Sequence, residues 1–139
     1  MKYAILFIFF TFFIITAASE KEKGYKTPVL VKAVGAKAIL ENGSVKISWK
    51  KYTRGDLLFY KVVKSKTNKN PVYPEDGYIF YTTDENITSF YDKEIEEGVW
   101  YYRVCVITKG KERWVSEVIQ VNIKKESAES KVPTEKDFE

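Results

Sequence analysis

Residues Ser44-Val45-Lys46-Ile47-Ser48-Trp49-Lys50 alternate strictly between polar and apolar, directly behind Asn42-Gly43. A period of two places Val45, Ile47 and Trp49 on one face of an extended strand and polar residues on the other. Asn-Gly tolerates the positive φ values that a two-residue hairpin turn requires. Together these features commit the stretch to a hairpin with one buried face. Ala36–Leu40 becomes the partner strand, and Val29–Val34 an earlier edge piece.

The same reading extends along the middle of the chain. Leu58–Lys64 predicts a strand with Tyr60 and Val62 inward, and Tyr78–Thr82 and Thr88–Tyr91 predict shorter ones. Trp100–Ile107 reads as a long central strand and Val115–Ile123 as the last, joined by a polar hairpin tip over Thr108–Arg113. No long amphipathic helix is visible. About seven short strands with turn signals between them predict an all-β fold, a seven-stranded antiparallel β-sandwich. A single sheet would leave an aromatic-rich face wet, whereas two sheets let Trp49, Tyr60, Tyr102 and Val104 interdigitate.

The termini differ from this core. Lys2 precedes an apolar run from Ala4 to Ile15, followed by small residues Thr16–Ser19 and then by Glu20-Lys21-Glu22-Lys23. That is the layout of a secretory signal over residues 1–18, cleaved after Ala18 or Ser19. The alternative is an uncleaved anchor over residues 3–19, since that uncharged run of 17 residues sits at the short end of a bilayer span. Both readings put the rest of the chain outside the cytoplasm, secreted or at the cell surface. Residues 19–27 read as a tether, 28–123 as the folded domain, and 124–139 as a charged tail too polar to order itself.

Composition excludes several chemistries. The chain has 139 residues and no histidine, so histidine-based triads and zinc sites have no ligand. Its one cysteine, Cys105, forbids an internal disulfide and reads as a part-buried small residue. The formal charge is +4, with lysines scattered among acids, which is not the one-sided basic field of a nucleic-acid binder.

In order and spacing, several residues resemble a fibronectin type III domain. They are Pro28, Trp49, Tyr60-Lys61-Val62, Ser89-Phe90-Tyr91-Asp92, Ile95 with Gly98 before Tyr101-Tyr102-Arg103-Val104, and Ser116. The resemblance covers about the 96 middle residues and implies an immunoglobulin-like sandwich without a disulfide. Its structural core would be Trp49, Tyr60, Val62, Trp100, Tyr102 and Val104. The family's tyrosine corner is occupied here by Trp100, unless the register slips and Tyr101 fills it. The favoured register turns Trp100, Tyr102, Val104 and Val106 inward and Tyr101, Arg103 and Cys105 outward.

Candidate sites follow, each beside a simpler reading. The hairpin tip with Lys109, Lys111 and Arg113, together with Tyr101 and Arg103, is the first choice for a partner surface, although such a tip is commonly a solvated turn. Arg54-Gly55-Asp56 matches an adhesion tripeptide, yet Gly-Asp is also ordinary turn chemistry. Asn42 and Asn86 stand in glycosylation acceptor patterns. Glu75-Asp76, Asp84-Glu85, Asp92 and Glu94–Glu97 suit solvated loops better than a calcium site or a glycosidase pair. Tyr73, Tyr78, Tyr81, Tyr101 and Trp114 form either a sugar-stacking strip or ordinary packing.

No cofactor and no catalytic group are expected. The function expected is a non-catalytic extracytoplasmic module that contacts a protein or glycan through its loops or a sheet face. The alternative is a structural spacer held at the envelope by its N-terminus.

Overall fold

The computed structural model describes residues 24–30 and 34–125; the expected signal or anchor segment, and the expected tail beyond Lys125, lie outside the described residues. Every element is a strand. They are β1 (Val29–Leu30), β2 (Lys37–Glu41), β3 (Ser44–Ser48), β4 (Leu57–Ser65), β5 (Phe80–Thr82), β6 (Ser89–Asp92), β7 (Gly98–Thr108), β8 (Arg113–Val115) and β9 (Ile119–Ile123). The fold is all-β.

The strands form two sheets. One is three-stranded, in the order β2-β3-β6; the other runs β1-β8-β7-β4-β5, with β9 also pairing β7. The β2–β3 hairpin turns at Asn42 and Gly43, whose φ values are 49° and 72°, as the Asn-Gly signal requires. Its register, Ala38↔Ile47 and Leu40↔Val45, keeps the apolar alternation on one side.

Both sheets contribute to one core. Val45 and Ile47 from β3 meet Tyr60 and Val62 from β4 and Tyr102, Val104 and Val106 from β7. Trp49, just beyond β3, is 6% exposed in this seam and packs on Tyr60 at 5.4 Å between ring centroids. Trp100 is half-buried against the same cluster. Two hydroxyls cross the core with partners. Tyr102 donates to Asp92 at 2.8 Å, and Tyr60 accepts the Tyr52 N–H at 2.7 Å.

Four expectations need correcting. The sheets are not purely antiparallel, because β1 runs parallel to β8, pairing Val29 with Trp114. The chain leaves one sheet at Leu30 and joins the other at Lys37, so β1 cannot pair with β2. Nine strand segments stand among the described residues where seven were expected. One reason is that the last strand is interrupted: Cys105 faces Val115, but Tyr102 faces Ile119, which leaves one extra residue on the later strand. Ser116 occupies this bulge, its hydroxyl accepting the Val104 N–H at 3.0 Å. A polar side chain thus fills the gap in the ladder.

Cys105 is fully buried rather than part-buried. The outer face of the larger sheet is covered, so Val63, Cys105, Ile107 and Val115 form a second apolar cluster with Tyr25, Phe59, Val72 and Tyr73. The β4–β5 connection lies over it, with Pro71 and Pro74 buried. Asp76 organises that connection by accepting from the Val72 N–H at 2.9 Å and from Asn68. Tyr25, assigned above to the tether, belongs to this cluster, because the uncovered sheet face offers it apolar surface.

Candidate ligand-binding surfaces

On the same outer face, Lys61 is 5% exposed. Its ammonium lies 3.7 Å from the centroid of Tyr78, 4.4 Å from Tyr81, 4.7 Å from Tyr73 and 4.8 Å from Phe59. A cation held against several ring faces is stabilised by their quadrupoles, by about 2 kcal/mol when desolvated. The rings also contact one another edge-on: Tyr73 with Tyr78 at 5.8 Å, and Tyr78 with Tyr81 at 5.6 Å. The result is a tyrosine ladder at the β5 edge. Tyr78 and Tyr81 are 48% and 51% exposed.

Beside this ladder, a groove of about 480 Å³ runs between β6 and the segment that leads into β5. Tyr78 and Tyr91 line it with Ile79 and Phe90, and Lys64, Lys93 and Glu94 supply polar groups. Phe80 and Phe90 stack across the two sheets at 4.5 Å, which ties the sheets together at this edge.

Of the aromatic residues picked out in the sequence, Tyr73, Tyr78 and Tyr81 come together and two do not. Tyr101 is half-buried on β7 opposite Ser65 and Gln120. Trp114 packs against the core on the far side of the larger sheet.

The hairpin tip divides. Lys109 and Lys111 are exposed, but Arg113 is 6% exposed and unavailable as a contact residue. It lies in β8, where Nη1 donates to Glu75 at 2.9 Å and to the Tyr73 carbonyl while Nε donates to the Lys26 carbonyl. Arg113 thus pins both the N-terminal segment and the β4–β5 connection. Arg103, half-buried, donates to the Ser116 carbonyl at 2.8 Å, and desolvation lowers its pKa.

Arg54-Gly55-Asp56 is not displayed as a free tripeptide. The Asp56 carboxylate accepts from Tyr52 at 2.5 Å, and Arg54 lies 5.2 Å over the Trp114 ring. Burial, together with the bond to Asp56, pushes the Tyr52 phenol up to about 12. Asn42 and Asn86 are exposed, but the Asn86 amide already bonds Asp84 and Lys51.

The acidic residues disperse into separate pairings. Glu75 goes to Arg113, Asp76 to its own loop, and Asp84 to a turn. Asp92 corrects the solvated-loop reading. It is 4% exposed and holds Lys64 at 2.7 Å, because it shares the inward face of β6 with Phe90. Among the described residues no three His, Cys, Asp or Glu side chains converge as a metal site, and no helix is long and apolar enough to cross a membrane.

No family model matches the chain, and no curated protein matches it. Among solved structures, pectate lyase PelI from Erwinia chrysanthemi aligns with a TM-score of 0.52 at 16% identity, over 62% of this chain and 26% of that one. The same enzyme in complex with tetragalacturonic acid gives 0.51 over 62% and 27%. Pectate lyase Pel3 from Pectobacterium carotovorum gives 0.51 at 13% identity over 67% and 27%. The chain spans about a quarter of the length of these lyases, and at such identities the likeness concerns fold alone.

Proposed function

We propose that this chain is a fibronectin type III-like, non-catalytic module that works outside the cytoplasm and binds glycan along its β5–β6 edge. The observation that carries the reading is the tyrosine ladder. Tyr78 and Tyr81 expose about half their surface while Lys61 holds their rings from behind. Aromatic faces that are exposed yet pre-ordered bind flat apolar ligand surfaces, such as the C–H faces of sugar rings, with little loss of side-chain freedom. The adjoining groove adds Lys93 and Glu94 for hydroxyl groups, and its volume of about 480 Å³ is in the ordinary range for ligand clefts.

The family reading is supported by the two-sheet core around Trp49. It is also supported by Trp100, whose indole donates to the Glu96 carbonyl at 2.9 Å. That bond returns the penultimate strand to its preceding turn, as a tyrosine corner does. The part of the lyases that resembles this chain amounts to a quarter of their length, which suits a module rather than an enzyme.

Affinity electrophoresis of the purified domain through soluble polysaccharides tests the proposal. PelI is known in complex with tetragalacturonic acid, so pectate is the first matrix, with neutral glucans and xylans beside it. Retardation by at least one matrix is expected, reduced about tenfold in affinity by Tyr78→Ala/Tyr81→Ala, since two ring contacts are together worth about 1–3 kcal/mol. Equal retardation of a folded double variant overturns the site. Depolymerisation of pectate by the domain itself overturns the non-catalytic reading.

A further inference from the structure

A cavity of about 160 Å³ opens on the other side of the molecule, lined by Val34, Lys50, Tyr52, Arg54, Val106 and Trp114 among others. It shares no lining residue with the groove beside the tyrosine ladder. A cavity of about 150 Å³ accommodates one six-membered ring. Val34, Val106, Tyr52 and Trp114 supply apolar and aromatic wall, and the charged lining is wholly cationic.

The acids nearby are hydrogen-bonded or paired elsewhere. Asp56 is engaged by Tyr52, and Glu85 pairs with Lys51. Among the described residues, neither Lys50 nor Arg54 has a carboxylate within ion-pair distance. Arg54 lies over the Trp114 ring, which restricts its guanidinium and leaves the fork's donors without an acid. A planar carboxylate matches that fork with two parallel hydrogen bonds.

We propose that this cavity binds a hexuronate, a sugar ring carrying a carboxylate, with Arg54 and Lys50 receiving the carboxylate and the apolar walls receiving the ring. The ring distinguishes this ligand from a small anion, and the carboxylate distinguishes it from a neutral sugar.

Trp114 provides the readout. Its indole N–H is buried without an acceptor, so its resonance is sensitive to any rearrangement of the cavity wall. In ¹H–¹⁵N spectra of the full chain, the Trp114 indole signal is assigned by its loss in Trp114→Phe. D-glucuronate, D-glucose, acetate and inorganic phosphate are then titrated at matched ionic strength. Glucuronate should shift the signal saturably, the other three should not, and Arg54→Met should weaken glucuronate at least tenfold.

Absence of a glucuronate shift overturns the proposal. So does an equal shift with glucose, acetate or phosphate, or an unchanged titration in Arg54→Met. Pectate presents hexuronates to both surfaces, so the variants separate them. Loss of retardation in Tyr78→Ala/Tyr81→Ala reads the tyrosine edge, and retardation by neutral glucans or xylans reads it without the cavity. The glucuronate titration with Arg54→Met reads the cavity.

Discussion

The Tyr102 hydroxyl donates to Asp92 across 2.8 Å, joining β7 of the larger sheet to β6 of the smaller one inside the core. Asp92 also accepts from Lys64 at 2.7 Å and from the Glu94 N–H, so one carboxylate satisfies three donors from three segments. Removing it leaves a part-buried ammonium without its counter-charge, held only by the Glu94 carbonyl, and a buried hydroxyl without an acceptor. Asp92→Ala should therefore cost about 3–5 kcal/mol, and Tyr102→Phe only about 1–2, because the second change removes a donor but strands no charge. Urea titrations of both variants measure the difference, and equal costs would contradict the hub.

Stability should fall at alkaline pH. Burial is the main cause raising the pKa of Tyr102, Tyr60 and Tyr52, the last to about 12. An unfolded tyrosine loses its proton near pH 10, about two units earlier than folded Tyr52. Between those values the folded state binds more protons than the unfolded one, so unfolding free energy decreases as pH rises. The contribution is intact below about pH 10 and is lost through pH 12. Thermal melts from pH 8 to 11.5 should show the decline, and Tyr102→Phe should flatten it.

Cys105 should be inert in the native protein. Its thiol is fully buried, and that burial pushes its pKa up to about 11, which suppresses the reactive thiolate. Arg113→Met breaks the tie between β8 and Glu75 and loosens the connection that covers the thiol. Labelling by an aromatic disulfide reagent should accelerate about tenfold or more, equivalent to about 1.4 kcal/mol of easier opening. An unchanged rate would mean that Arg113 does not hold the cover.

Lys61→Glu places an anion where four ring faces converge. The same quadrupoles that favour the ammonium disfavour a carboxylate, and burial adds its own penalty. A loss of at least about 3 kcal/mol is expected by chemical denaturation, whereas a loss below about 1 kcal/mol would show that the rings do not sense the charge.

Ser116→Ala removes the hydroxyl that closes the gap between β7 and the β8–β9 bulge. The buried Val104 N–H then lacks an acceptor, and a cost of about 1–3 kcal/mol follows. Hydrogen exchange at Val104 should quicken with it; unchanged protection there would assign the bulge to another cause.

Much of the inner core was legible before folding was considered. Val45, Ile47 and Trp49 are picked out by a period of two, and so are Tyr60 and Val62. The outer cluster was less legible, although a signal existed. Val104-Cys105-Val106-Ile107 and Leu58-Phe59-Tyr60 are unbroken apolar runs rather than alternating ones, and such runs mark strands buried on both faces. Reading Cys105 as only part-buried on the outer face, and Arg113 as a residue of a solvated hairpin tip, assumed that one side of the sheet is wet.

The candidate site was legible in part. Tyr78 and Tyr81 read in the sequence as either part of a sugar-stacking strip or ordinary packing, and Lys61 between Tyr60 and Val62 reads locally as a solvated lysine on a polar face. Three of the rings around it come from the β4–β5 connection and β5, twelve or more positions away in sequence. No periodicity spans that distance. Asp92 was hidden for a similar reason, since its partners Lys64 and Tyr102 lie on strands before and after it.

Local pattern alone determined that this chain forms strands, which face of each turns inward, and where the first hairpin bends, because side-chain alternation and positive-φ turn chemistry are set by immediate neighbours. Tertiary structure decided which lysine is solvated and which is enclosed, which arginine is a clamp, and where tyrosines gather into a surface. Those outcomes depend on a loop folding back over a sheet face. The contacts made there join residues far apart in the chain, and burial turns their charges and hydroxyls from solvated groups into paired ones.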